Sequence, residues 1–294
     1  MQGIQQKLQK LHEDGIVVFD GVLDQHQIDT LRQQLLKHLD KSGRIYNGGN
    51  TQNDVINVVE DIHWVLNKTL LSDIVRVVAG DNAVYVHHSD VLHNTFTGWH
   101  KDHLAHHESE HDLDFWGDHE GEPYQVYKFA LYLQDHRHDK TALRYLRASH
   151  VRSKPYNLLE RIYHYFFHET AQPAPGALVV FDQRIFHNGV TPWLPTKILF
   201  KMIKNPRLKQ KLWDVERSIR GMQDRVFLQV AFGRPGEYAN QHAREMVERQ
   251  QRKKGAEVYV VSQSLKDCLS AGGLGLAEVQ EGVGQGSKSE PREV

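Results

Sequence analysis

A single cysteine, Cys268, excludes an internal disulfide framework. No apolar run reaches the ~18 residues that a membrane-spanning helix needs, and no charged-then-apolar leader opens the chain. Charge of one sign is missing too. Lys and Arg number 36 against 37 Asp and Glu, so no general electrostatic attraction draws the protein to nucleic acid or to an anionic membrane surface. There is no internal repeat, and no shift of composition sharp enough to force a second core. These absences predict a cytoplasmic protein whose partner is a small molecule. They predict one domain over residues 1–270 and a disordered tail at 271–294, where Gly, Ser and charged residues dominate. On oligomeric state they are silent.

Histidine is the residue in excess: the chain has 20, many of them between His87 and His138. Abundance alone does not separate a solvated loop from a metal-binding tract, so position has to decide. Residues 1–14 read as a short helix leading into the apolar run Ile16-Val17-Val18-Phe19. Asp24 then caps a helix whose Ile28, Leu31, Leu35 and Leu39 fall on one stripe. Gly43 to Asn53 reads as a polar loop, and Ile62 to Ala79 as a second packing helix ended by Gly80. From Ala83 the pattern turns to strands: Val84-Tyr85-Val86, Val91-Leu92, Val126 to Leu133, Ala142 to Leu146, Ala177 to Phe181 and Val226 to Phe232. A helical insertion at 197–221 precedes the last of these, and a polar helix at 237–254 follows it. Strands in this order after N-terminal helices predict a mainly β fold, an antiparallel barrel or sandwich with helices packed outside.

The chemistry-bearing pattern is Trp99-His100-Lys101-Asp102 together with His187, 87 residues after His100 at the end of an apolar strand and before the turn signal Asn188-Gly189. Two imidazoles and one carboxylate hold one face of an octahedral Fe(II) and leave the opposite positions open. His-x-Asp alone is a weak signal here, because His12/Asp14, His38/Asp40 and His88/Asp90 fit it too, with His106/Glu108 as a carboxylate variant. On a helix, residues two apart point in different directions, which disfavours the first two pairs. On a strand they share a face, so His88/Asp90 stays a rival. His100 and Asp102 are favoured because they lie where a strand runs out, before a long polar loop.

The chain resembles the phytanoyl-CoA dioxygenase-like branch of the Fe(II)/2-oxoglutarate-dependent oxygenases over roughly residues 8–235. The resemblance is carried by His12 to Val18, Trp99 to Asp102, Ala130 to Asp135, Ala142 to His150 and Phe181 to Gly189, in that order. It implies a double-stranded β-helix of the jelly-roll or cupin-like kind. It also implies His100, Asp102 and His187 as iron ligands, with 2-oxoglutarate and O₂ as co-reactants, and a structural role for His150 in a Ser-His turn. Such enzymes need a cation for the far carboxylate of 2-oxoglutarate, and a planar guanidinium suits it. Arg225, opening the strand Val226 to Val230, is the expected anchor; Lys197, nearer to His187, is its rival. The 38 residues from His187 to Arg225 depart from the family's shorter interval, and the insertion accounts for them. Lys128, Tyr127, Thr95 and Asn94 are further candidates for cosubstrate contact. The expected reaction is hydroxylation of an aliphatic C–H bond of a small metabolite, with release of succinate and CO₂. Asp102 argues against the halogenating relatives, which put a small residue at that position.

Two other readings fit the same residues. One is a non-catalytic metal-binding or sensor protein that uses the histidines of 103–119. The other is a cupin-type metalloenzyme independent of 2-oxoglutarate. The segment 103–124, with Phe115-Trp116 among acids and histidines, reads as a lid over the substrate.

Overall fold

The computed structural model describes residues 2–67, 69–102, 124–138, 141–151, 163, 166–254 and 259–279. The segment 103–123, which holds nearly all of the expected lid, the 103–119 histidines and the His106/Glu108 pair, lies outside the described residues, as does 280–294.

The chain opens with α1 (Gln2–Asp14), β1 (Ile16–Phe19) and α2 (Gln25–Ser42). Asp24 and Gln27 form a reciprocal capping box at the start of α2, which satisfies helix N–H groups that would otherwise lack partners. The predicted stripe of Ile28, Leu31, Leu35 and Leu39 is buried in the main core. There follow β2 (Arg44–Tyr46), β3 (Gly49–Asn53), α3 (Val55–Val58), a 3-10 segment (Glu60–Val65) and α4 (Thr69–Ala79). The helix expected over Ile62 to Ala79 is therefore split. The break falls at Leu66-Asn67, where the Asn67 amide accepts the Cys268 thiol and so engages a distant element. The polar loop expected over 43–53 is a hairpin pairing Arg44 with Thr51 and Tyr46 with Gly49.

The strands that carry the site come next. They are β4 (Val84–His93), β5 (Val126–Tyr132), β6 (Arg144–Tyr145), β7 (Glu169–Thr170), β8 (Leu178–Asp182) and β9 (His187–Asn188). The insertion forms α5 (Leu194–Met202) and α6 (Pro206–Ile219), followed by β10 (Val226–Gly233), α7 (Glu237–Lys254), α8 (Gln263–Ala271) and β11 (Gly275–Leu276). Where two short strands were expected, β4 is one ten-residue strand, and the strand expected at 142–146 shrinks to two residues. The expectation of a disordered tail fails over 271–279. There Leu274 and Ala277 are buried and β11 pairs in parallel with Val84 and Tyr85 of β4.

Two sheets result. The larger runs β1-β8-β5-β10-β4-β3-β2, antiparallel throughout, with β11 beside β4; the smaller runs β7-β6-β9. Among the described residues the larger sheet does not close on itself, so the barrel expected from the sequence is an open, mostly antiparallel arrangement with helices. One face of the large sheet packs on α2, α4 and α8 through the main core. On β5, Tyr127, Phe129 and Leu131 point into that core, and the alternate residues Lys128, Ala130 and Tyr132 face the opposite way, into a cavity. The insertion docks beside it through Trp213, which packs on Phe96 and donates to the Asn94 carbonyl at 2.6 Å. Gly48, at φ 74°, leaves the room Trp213 needs: a Cβ there would lie 2.7 Å from the indole.

Candidate active site

The cavity, of about 360 Å³, lies between the outward face of the large sheet, the His187 end of the small sheet and one face of α7. His100 and His187 form an antiparallel bridge: His100 N donates to the His187 carbonyl at 2.9 Å, and His187 N donates back at 3.0 Å. Asp102 N donates to the Gln183 carbonyl at 3.2 Å, so the loop after residue 99 is laced along the chain entering β9. Lys101, between the two ligand candidates, turns away from them and donates to the Ser149 carbonyl at 2.6 Å. Ser149 Oγ accepts from Phe186 N at 2.8 Å. The Ser-His turn thereby ties the two segments that carry the ligand candidates together from behind, and His150 serves it by bonding the His12 carbonyl.

These restraints bring one ligand atom from each of His100, Asp102 and His187 within 4.8 Å of one another. His100 Nε2 lies 3.4 Å from Asp102 Oδ1, and His187 Nε2 lies 3.9 Å from Asp102 Oδ2. Each imidazole Nδ1 contacts a backbone carbonyl, Gly98 at 2.8 Å and Ile185 at 2.9 Å. A carbonyl only accepts, so Nδ1 carries a proton and Nε2 is the atom that each ring turns to the common point. Burial and then the His100 charge push His187 down to about 4, which leaves it neutral at pH 7. Burial by itself would raise the Asp102 carboxyl, but Lys128 and the two imidazoles hold it well below the usual carboxylate range. Two neutral-capable nitrogens and one carboxylate oxygen suit a ferrous ion with open positions.

Lys128 Nζ lies 2.9 Å from Asp102 Oδ2, and both side chains are largely buried. Removing one member of such a pair strands a charge. Lys128→Met is expected to cost about 3–5 kcal/mol in the metal-free protein, and Ni(II) should recover a larger part of that loss than it adds to the wild type, because the cation then takes over Asp102. Denaturant melts with and without Ni(II) measure this; an equal loss in both conditions would show that Lys128 does not serve Asp102.

Arg225 is 5 % exposed and lines the same cavity. Nη1 donates to the Thr141 carbonyl at 2.8 Å, Nη2 donates to the Thr95 carbonyl, and the guanidinium lies 5.3 Å from the centre of the Phe227 ring. Gly189 opens the space over it. A Cβ at Gly189 would sit 3.5 and 3.6 Å from the two terminal nitrogens and 2.9 Å from Thr97 Oγ1.

The other sequence candidates divide. Thr95 lines the cavity, and its buried Oγ1 has no hydrogen-bond partner among the described residues. Asn94 does not line it; its side chain accepts from Arg225 N at 2.9 Å and donates to Asp224 at 2.6 Å, so it positions Arg225. Both follow β4 instead of lying on it. Tyr127 faces the main core, on the opposite side of β5 from the cavity, because its neighbour Lys128 takes the inward position. Lys197 lies in a separate groove with Phe96 and Phe200. The rival metal pairs are also accounted for. Asp14 pairs with Arg147 at 2.5 Å, His38 and Asp40 lie on α2, and His88 spends one ring nitrogen on Asp90 at 3.1 Å and the other on His242 at 3.2 Å.

Sequence reasoning passed over much of the lining. Gln183 is fully buried, with both amide atoms lacking a partner among the described residues. On α7, read only as a polar helix, His242, Met246 and Arg249 all face the cavity. Their i, i+4, i+7 spacing was the available signal.

No protein-family model matches the chain, and no curated protein matches it by sequence. Solved structures do match. The epimerase SnoN, in complex with Fe3+, alpha ketoglutarate and nogalamycin RO, aligns with a TM-score of 0.55 at 11% identity over 79% of this chain and 84% of that one. HygX from Streptomyces hygroscopicus, with nickel and 2-oxoglutarate bound, gives 0.54 at 14% identity over 78% of this chain and 86% of that one. The carbocyclase SnoK from nogalamycin biosynthesis gives 0.53 at 14% identity over 78% and 83%. This chain has the fold of the non-haem 2-oxoglutarate-dependent enzymes. At such identities the likeness speaks for the fold alone. No helix among the described residues is long and apolar enough to cross a membrane.

Proposed function

We propose that this cavity is the active site of an Fe(II)- and 2-oxoglutarate-dependent dioxygenase that hydroxylates an aliphatic C–H bond of a small metabolite. The observation that carries the reading is the convergence of His100, Asp102 and His187, with both imidazoles presenting Nε2, inside a fold shared with enzymes crystallised with iron or nickel and 2-oxoglutarate. In this reading the two sheets are the walls of a double-stranded β-helix, and the chain belongs with the phytanoyl-CoA dioxygenase-like branch. The balance is R–H, O₂ and 2-oxoglutarate giving R–OH, succinate and CO₂.

Ferrous iron, when bound, would supply the oxidising chemistry; the protein's part is placement. His100, Asp102 and His187 would hold the metal on one face. Lys128 keeps Asp102 ionised and oriented through their ion pair. Arg225 would take the far carboxylate of 2-oxoglutarate through parallel charge-assisted hydrogen bonds, and Thr95 adds a hydroxyl beside it. Phe181, Phe227 and Tyr132 line the cavity and exclude water from the reacting centre.

The test is succinate release after anaerobic reconstitution with Fe(II), followed by O₂ and a panel of metabolites. Succinate should form only when iron, 2-oxoglutarate and O₂ are all present and should rise with the right metabolite. An iron-loaded, folded protein that never forms succinate would overturn the reading. Product analysis separates hydroxylation from the epimerisation and ring closure named for SnoN and SnoK.

A further inference from the structure

The cavity extends well beyond the metal cluster, across four strands. From β10 outward, Gln229, Asp90 and Asn53 stand in register on neighbouring strands, and Arg44 reaches in from β2 to bond Asn53. The face of α7 bearing His242, Met246 and Arg249 covers them. His242 stacks on His88 with ring centres 5.4 Å apart.

The polar groups here are unequally used. Asp90 accepts from Asn53, from Gln229 at 3.1 Å and contacts His88 at 3.1 Å, and Asp102 is engaged by Lys128 and the imidazoles. No carboxylate on the described cavity wall is left for a cationic substrate. The cations differ. Among the described residues Arg249 has no acidic group within ion-pair distance; it contacts the Met246 sulfur at 3.9 Å, and its charge acts on Asp90 only from longer range. Among the described residues Arg44 bonds only the neutral Asn53 amide, and it lies over the Tyr46 ring. In all, the described wall carries four cationic side chains, Arg44, Lys128, Arg225 and Arg249, against two carboxylates, Asp90 and Asp102. A divalent metal and a dianionic cosubstrate cancel each other and leave that surplus standing. Beside the polar row of Gln229, Asp90 and Asn53 runs an apolar one, in which Phe227 pairs with Leu92, with Ala130 and Met246 adding to it.

We infer that Arg249 and Arg44 form a subsite for an oxyanion, carboxylate or phosphate, at the far end of a substrate whose apolar stem lies along Phe227, Leu92 and Met246. The occupant is called a substrate on the strength of the oxygenase reading, but the subsite itself stands on the cavity's own charges. Arg249 acts on Asp90 of β4, two strands from the Lys128 strand, and Arg44 reaches Asn53 of β3, three strands from it, so the anion sits roughly 10–15 Å from the strand facing the metal cluster. That reach fits a compound of a few carbons. A volume of about 360 Å³, close to the lower bound of the ~300–1,000 Å³ typical of small-molecule sites, holds such a compound beside 2-oxoglutarate.

Calorimetric titration of the metal-free full chain with hexanoate, hexyl phosphate, hexanol and hexylamine tests this without relying on turnover. Hexanoate, hexyl phosphate or both should bind saturably, and their ratio tells which oxyanion fits; the alcohol and amine should bind at least tenfold more weakly. Arg249→Gln and Arg44→Gln should each weaken the bound anion at least tenfold, while Arg207→Gln, exposed at the start of α6, should not. Circular dichroism confirms folding, and Arg44, exposed at the mouth, supplies the variant least able to disturb the core. Hexanol binding as well as the anions, or anion affinity unmoved in both subsite variants, would overturn the inference. Anion binding that depends on Arg249 in a protein that never makes succinate would sink the oxygenase reading and leave the subsite standing.

Discussion

Asp102→Ala is expected to abolish succinate-coupled turnover and to release the iron. The carboxylate supplies the only oxygen donor of the described cluster, so its loss should weaken iron binding beyond the ~10–100-fold that follows removal of a mere supporting contact. The variant also leaves Lys128 buried without its partner, so the comparison must be made on protein shown to be folded, by anaerobic titration with Fe(II) and by succinate release in parallel. His187→Ala should behave alike. It lies at the start of a two-residue strand whose pairing is made by the backbone, so truncating the ring removes the ligand and leaves the bridge to His100. His88→Ala should retain iron, since both ring nitrogens of His88 serve Asp90 and His242. Iron held with unchanged affinity by both Asp102→Ala and His187→Ala would move the metal to the histidines of 103–119 and make this a metal-binding protein of another kind.

How far such a site is legible in a sequence depends on what sets each part of it. The Ile28, Leu31, Leu35 and Leu39 stripe is local, and its helix forms as the spacing predicts, cap included. The pairing of His100 with His187 is not local, yet two short motifs, each beside an aromatic residue, mark both ends of the bridge. What stayed hidden is what only tertiary structure decides. β4 looks like two strands because its middle, His87 to Asp90, is polar: His88 and Asp90 face the cavity, while His87 contacts the Ala277 carbonyl and Ser89 accepts from Ile56 N, so no apolar alternation marks the strand there. A register shift opposite Val230 to Phe232, with His87 at φ 55°, adds an irregularity that no periodicity reveals. The Gly-rich 271–279 segment offers too little side chain to signal order, and its pairing with β4 is made by backbone groups. Tyr127 and Lys128 illustrate the limit most simply. Alternation says that one of the pair faces inward, and the packing of β5 between β8 and β10 decides that it is Lys128.

The proposed cosubstrate anchor is the second place where a large effect is expected. Arg225 opens β10 between β5 and β4, and its backbone N–H is held by the Asn94 side chain. Its guanidinium is fixed by the Thr95 and Thr141 carbonyls and faces Gly189, two residues past His187, where the absence of a Cβ leaves the approach open. A guanidinium fixed before the ligand arrives loses little entropy on binding it. Truncating one partner of a buried, hydrogen-bonded charge pair costs about 2–5 kcal/mol, so Arg225→Gln should raise the KM for 2-oxoglutarate by roughly 30- to 4,000-fold. Arg225→Lys should recover only part of this, because an ammonium keeps the charge and loses the two-point geometry. Lys197, the nearer cation in sequence, lies in the outer groove beside Phe200, and Lys197→Gln should leave that KM where it was. The decisive measurement is the split between KM for 2-oxoglutarate and kcat at saturation: loss of an anchor moves the first far more than the second. Should Lys197→Gln raise the KM and Arg225→Gln leave it unchanged, the cosubstrate would have to enter from the side of the helical insertion, and Arg225 would be a structural arginine that ties β10 to the segment after β4.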